Sequence, residues 1–235
     1  MVKGKIIKSA QKAYKEGTDY QFDTQELRLG PWTSYSLIND PKHMCFVLSR
    51  YKFCAKILEG KDTVMEIGSG DGFGLPIIAQ AVKKVYAVDW DKRLLEGNAQ
   101  RLQHLKNVEY LHVDLNKGTP DMKVDGAFLI DVIEHLEHKV ERAFLSNIVK
   151  CLKPAGVLII GTPNITASQH ATPRSRVQHI NLKSSKTLRD LMEEYFENVF
   201  IFGMNDEVLH TGYAPMCHYL WAVGTGLRLG VRKRI

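Results

Sequence analysis

The sequence predicts an α/β protein with a doubly wound, mostly parallel sheet, on three observations. Short apolar runs, Val64–Ile67, Val85–Val88, Val108–Val113, Val124–Ile130 and Val157–Gly161, alternate with stretches of helical periodicity. The first run enters a glycine-rich turn, Gly68-Ser69-Gly70-Asp71-Gly72-Phe73-Gly74, that opens an apolar helical segment, Leu75–Val82. The second run ends on an acid, Asp89. Strand, glycine turn, helix, strand and acid form the first half of a nucleotide-binding βαβ unit of Rossmann-like type.

The remaining elements follow in order. The 235 residues are expected to form one domain overall, with residues 1–60 as an N-terminal helical cover and 61–235 as the ligand-binding part. Within the cover, Gln11–Glu16 suits a short helix. Thr18–Asp40 is mixed and aromatic, with Gly30-Pro31 marking a turn. Lys42–Glu59 has helical periodicity and stops at Gly60. After Asp89, Lys92–Leu105 reads as a helix, and the third strand ends at Asp114-Leu115. A helix over Glu141–Leu152 closes at Lys153-Pro154-Ala155-Gly156, before the fifth strand. Leu188–Phe196 is a helix opened by Ser184–Thr187, Asn198–Phe202 a sixth strand and Cys217–Val223 an antiparallel seventh.

Composition narrows the function classes. Hydrophobic content of 44% and charged content of 25% are those of a globular protein. No apolar run approaches the roughly 20 residues of a membrane span. The basic N-terminus lacks the apolar core of a signal peptide. Cys45, Cys54, Cys151 and Cys217 are scattered, with no C-x-x-C pair. Reduced thiols in a cytoplasmic setting are therefore expected, and no metal site. A net charge of +6 favours an anionic partner or substrate but does not call for nucleic acid.

Glycines let a ligand approach the backbone closely, and the helix behind them offers unpaired N–H groups. Asp89 can accept hydrogen bonds from ribose hydroxyls, with Trp90 beside it as a flat surface for a base. The spacing departs from a dinucleotide fingerprint, since Phe73 stands where G-x-G-x-x-G needs glycine. Glu66, Gly68, Gly70 and Gly72 instead form E-x-G-x-G-x-G. This resembles the first motif of the class I S-adenosylmethionine-dependent methyltransferases. The resemblance covers roughly residues 60–224. It implies S-adenosylmethionine as cofactor, held by Glu66, Gly68, Ser69, Gly70, Gly72, Asp89, Trp90, Asp114, Leu115 and Asp131. Asp114 has a plainer reading as a turn cap.

The fourth strand ends in Asp131-Val132-Ile133-Glu134-His135-Leu136. This is similar to the D-x-x-E-H-L run of the subgroup that includes ubiquinone-biosynthesis O-methyltransferases. Asp131 would then lie beside the transferring methyl. Three roles stay open for Glu134 and His135. His135 could be a general base, the two could help hold a divalent metal, or they could cap the next helix and shape the pocket. Spacing supplies no third metal ligand.

Asn164–Leu182 is a long loop with no acid. It carries His170, Arg174, Arg176 and His179, and two arginines can clamp a phosphate or carboxylate. With Tyr35 from the cover, His170, Arg174 and Arg176 are the acceptor-binding candidates, and His135, His179 and Asp131 the catalytic ones. The plainer readings are a solvated loop and a Tyr35 packed on the sheet.

Methyl transfer is an in-line displacement, so the enzyme chiefly positions the nucleophile. A hydroxyl must also lose a proton, which suits the histidines. The expected function is O-methylation of a small polar or anionic metabolite, such as a sugar, nucleotide-linked or phosphorylated intermediate, as in surface-glycan synthesis. Alternatives are an RNA or protein methyltransferase, for which the basic tail Arg228–Arg234 gives some room, and a non-catalytic S-adenosylmethionine-binding protein.

Overall fold

The computed structural model describes residues 27–228. Its sheet has eight strands: β1 Thr63–Ile67, β2 Lys84–Asp89, β3 Val108–His112, β4 Val124–Ile130, β5 Leu152–Pro163, β6 Phe196–Asn205, β7 Val208–His210 and β8 Tyr219–Leu227. Their order is β3-β2-β1-β4-β5-β8-β6-β7. The first five are parallel, and β8 runs antiparallel to both β5 and β6. The order reverses between β1 and β4, which opens a crevice at the carboxyl ends of those two strands.

Seven helices accompany the sheet among the described residues: α1 Pro31–Asn39, α2 His43–Ile57, α3 Leu75–Ala81, α4 Lys92–Arg101, α5 His138–Lys150, α6 Pro173–Gln178 and α7 Ser185–Met192. Both faces of the sheet are covered. Val64, Val85, Phe128 and Ile159 pack with Tyr51, Leu58, Ile78 and Trp221 on one side. Their neighbours Met65, Leu129, Leu158 and Ile160 pack with Leu145, Ile148, Leu188 and Phe196 on the other. Strand alternation sends successive side chains to opposite faces, so near-continuous apolar runs are what a doubly covered sheet requires.

Four differences from the sequence reading have local causes. The eighth strand is β7, a short partner of β6. The Lys153–Gly156 stretch lies within β5: Val124 pairs with Leu152 and Gly126 with Val157, so the turn residues form an irregularity between two paired segments. Gly30-Pro31 starts a helix, with Gly30 as cap and proline in the first turn, where its missing N–H costs nothing. Within 164–182 lie a 3-10 helix, 165–170, and α6. The expected helix over Gln11–Glu16 and most of the basic tail fall outside the described residues. No described helix is long and apolar enough to cross a membrane, and all four cysteines are free.

Candidate active site at the carboxyl edge of the sheet

The glycine turn is built by backbone conformation. Gly68, Gly70 and Gly72 have φ of 71°, 54° and 73°, a region that L side chains rarely adopt. A Cβ on Gly68 would lie 2.5 Å from Val132 Cγ2. The turn is tied to β2 through the N–H groups of Gly68 and Ser69, which donate to Val88 O. Asp89 fixes it further: one carboxylate oxygen accepts from Gly70 N and the other from Asp91 N, each at 2.9 Å. Each oxygen keeps a second lone pair for a ligand hydroxyl. Trp90 beside it is exposed.

Glu66 is buried under the turn. Tyr51 donates its hydroxyl proton to one Glu66 oxygen at 2.8 Å. Burial pushes the Glu66 carboxyl up to about 8, against the Tyr51 hydrogen bond and with help from the Asp89 charge. The second Glu66 oxygen and the Ser69 hydroxyl are buried without a hydrogen-bond partner. Asp114 accepts from Asn116 N and pairs with Lys117, each at 3.0 Å. It thus caps its own turn, while Leu115 is buried behind it.

The cover supplies three residues that motif reading missed. Thr33 of α1 donates its N–H and its hydroxyl to the two oxygens of Asp71, at 2.8 and 2.9 Å. Gly30 packs so tightly here that a Cβ would lie 2.3 Å from Asp71 Cβ. Arg50 of α2 pairs with Asp131 at 2.6 Å and lies 3.9 Å over the Tyr219 ring. In sequence Arg50 is one of three cations of α2, with Lys52 and Lys56, and nothing local singles it out, while Asp71 looked like a spacer between glycines. Asp131 has φ of 55°, and its second oxygen is buried without a partner.

Across the mouth stand Glu134, His135 and His179. Glu134 is fully buried and accepts from the Thr162 hydroxyl at 3.0 Å. Burial, then the Asp131 charge, push its carboxyl up to about 8, and its other oxygen has no partner. His135 Nδ1 lies 3.1 Å from Gln178 O, a contact that needs the Nδ1–H tautomer and leaves Nε2 as an acceptor. The His135 and His179 rings are 5.1 Å apart, edge to face. Burial and the neighbouring His135 lower the His179 pKa. One ligand atom from each of Glu134, His135 and His179 lies within 4.8 Å of the others. The histidine pair and the glutamate could therefore hold a divalent ion, with the third ligand coming from the distant loop.

That loop is anchored at both stems. Asn164 donates to Ala214 O and Cys217 O at 2.8 and 2.9 Å. Asn181 donates its N–H to Glu134 O at 3.0 Å and its amide to Glu141 at 2.7 Å. Lys183, buried and paired with Glu141, donates to the Asn181 amide oxygen at 2.7 Å. Between the stems, a cavity of about 340 Å³ is lined by Ser168, Gln169, Ala171, Ser175, Arg176 and His179 among others. Arg176 spends two N–H groups on Ala171 O and Gln169 O, so the two-arginine clamp is not preformed. Arg174 instead lies 6.0 Å from the Tyr35 ring, joining the loop to α1. His170 is exposed and approaches His218.

The turn, its oriented acid and the carboxyl-edge crevice are those of a doubly wound α/β protein with a candidate ligand site at its strand ends. A methyltransferase-domain family model matches residues 37–199. The chain belongs to that family, and its sheet is that of the class I S-adenosylmethionine-dependent methyltransferases. It is 30% identical over 150 residues to a probable S-adenosylmethionine-dependent methyltransferase of Mycolicibacterium smegmatis, covering 61% of this chain and 54% of the relative. It is 29% identical over 110 residues to a ubiquinone biosynthesis O-methyltransferase of Rickettsia akari, covering 46% and 43%. Thus the chain spans about half the length of the curated relatives it matches. Among solved structures, the N-methyltransferase NodS of Bradyrhizobium japonicum aligns with a TM-score of 0.60 at 15% identity, over 81% of this chain and 99% of that one. The methyltransferase domain of bacterial CtHen1-C aligns with a TM-score of 0.65 at 19% identity, over 77% and 98%. At those identities the alignments show the fold alone.

Proposed function

We propose that the protein binds S-adenosylmethionine and transfers its methyl group to a hydroxyl of a small polar acceptor. The observation that carries the reading is the convergence of His179, from the loop, on His135 and Glu134 beside the Asp131 end of β4. The cradle fits the cofactor on its own chemistry. Unpartnered oxygens of Glu66, Ser69 and Asp131 surround a turn whose glycines keep side-chain volume out. Asp89 would hold the ribose, Arg50 the carboxylate, and Asp131 with Glu66 the ammonium. The bound cofactor supplies an electrophilic methyl on a sulfonium.

The chain's own residues then position the acceptor and accept its proton. A neutral imidazole is the competent form of a base, and the lowered His179 pKa favours it at neutral pH. His135 presents its free Nε2 from the other side. Arg174, exposed beside the Tyr35 ring, suits an anionic part of a sugar, nucleotide-linked or phosphorylated acceptor.

A second reading adds a divalent cation. Glu134, His135 and His179 offer one carboxylate and two imidazoles, a set suited to a transition metal. Held by these three side chains, such an ion would supply Lewis-acid activation of an acceptor hydroxyl.

Calorimetric titration with S-adenosylhomocysteine tests the cofactor; absence of saturable binding defeats the reading. Transfer of labelled methyl to fractionated metabolites tests the acceptor, with His179→Ala expected to lose at least a hundredfold in turnover while keeping cofactor affinity. Labelling that appears only in RNA, with strong salt dependence, would replace the small acceptor. Chelation followed by Mn²⁺ readdition separates the two readings: activity insensitive to both leaves the base alone.

A further inference from the structure

Helix α1 leaves an apolar stripe largely exposed, with its Trp32 end over the glycine turn, where a Cβ on Gly70 would lie 3.3 Å from the Trp32 ring. Trp32, Tyr35 and Ile38 recur at intervals of three and are 58%, 60% and 79% exposed, while Thr33 is the buried contact to Asp71. The stripe does not end with the helix. Arg174 meets the Tyr35 ring, and Val177, one turn on from Arg174, is 79% exposed, with exposed Ile180 beyond it. The neighbouring 3-10 helix at 165–170 packs on a second one at 214–216, which adds exposed Tyr213 and Met216. Single exposed apolar residues are ordinary, but three linked segments presenting them around one cleft are not.

The charged residues of the segments around this face are mostly basic. Segments 27–42, 164–182 and 210–218 contain Arg28, Lys42, Arg174 and Arg176 but only one acid, Asp40. Tryptophan and tyrosine among aliphatic side chains, flanked by cations, match the headgroup boundary of an acidic bilayer, where apolar insertion and charge attraction act together. We propose that this face docks the protein on an anionic lipid bilayer, with the mouth of the cleft turned toward the headgroups. The assignment is independent of the reaction catalysed.

The test is flotation of the full chain with vesicles of phosphatidylcholine alone and with 30% phosphatidylglycerol. Binding at least tenfold stronger to the acidic vesicles is expected. In a Trp90→Phe background, Trp32 is the exposed reporter beside the buried Trp221, and its emission should shift to the blue on binding. Ile38→Ser combined with Val177→Ser changes two exposed positions and should weaken binding tenfold or more at an unchanged melting temperature. No binding to acidic vesicles overturns the proposal, as does equal binding by the double variant. Binding without a Trp32 shift also overturns it and assigns the attraction to charge elsewhere on the chain. A dimer in sedimentation velocity that the double variant disperses gives the stripe to a second copy instead.

Discussion

Arg50 holds Asp131 through a 2.6 Å ion pair between the cover and the end of β4, at a residue whose backbone is left-handed. Each depends on the other: the guanidinium is nearly buried, and the carboxylate has one oxygen with no other partner. Arg50→Ala should destabilise the protein by about 2 kcal/mol. That is below the 3–5 kcal/mol for a fully buried pair, because the Asp131 side chain is 37% exposed. It should also weaken S-adenosylhomocysteine binding about tenfold or more, with Arg50→Lys intermediate. Unchanged affinity in the alanine variant would remove Arg50 from the cofactor site.

Glu66 gives the protein a pH-dependent stability. Its folded pKa, about 8, lies above its ordinary value of 4.5. The folded state therefore binds the extra proton, and the contribution is fully present below about pH 4.5 and lost as pH rises through 8. Glu134 acts in the same direction. Glu66→Gln keeps an acceptor for the Tyr51 hydroxyl and removes the ionisation. Denaturant titrations from pH 5 to 9 should show a shallower decline for this variant, and a parallel decline would refute the assignment.

Asp71 pins α1 through two hydrogen bonds from Thr33. Asp71→Ala removes both and should cost about 1–3 kcal/mol. The effect should be local first, as faster amide exchange over residues 31–39 with protection of β1 and β4 retained. Uniform loss of protection across the sheet would show that the contact is not a separate latch.

Lys183 and Glu141 form a buried ion pair capped by Asn181. Lys183→Met leaves Glu141 charged and unpaired and should cost about 3 kcal/mol or more. Adding Glu141→Leu should recover much of that loss in a thermal melt. A double variant no more stable than the single one would mean that the charge is not the source of the penalty.

The sheet was legible because a doubly covered parallel sheet writes each strand as an apolar run, and the glycine turn after Val64–Ile67 set the direction of the first βα unit. The edge was less legible. β7 is three residues long and is defined by pairing with β6, which no local period reports. That the glycine turn and Asp89 meet was legible, since both are contiguous with their strands. Asp114 shows a turn-capping role that the same residue type signals equally well. The opposite wall was not readable: Arg50 meets Asp131 across 81 positions, and His179 joins His135 across 44. Contacts of that span depend on how helices and loops pack, and spacing carries no record of them.

The loop between β5 and α7 is fastened at Asn164 and again at Asn181, and both fastenings lie in the core rather than in the intervening residues. The stretch 165–180 is thus a cassette. Under the proposed function, the residues ahead of Gln178 and His179 can be exchanged while the two ends stay where they are, so new acceptors would not require rebuilding the glycine turn. Grafting the corresponding segment of a relative between these two asparagines is a route to altered specificity on a constant frame.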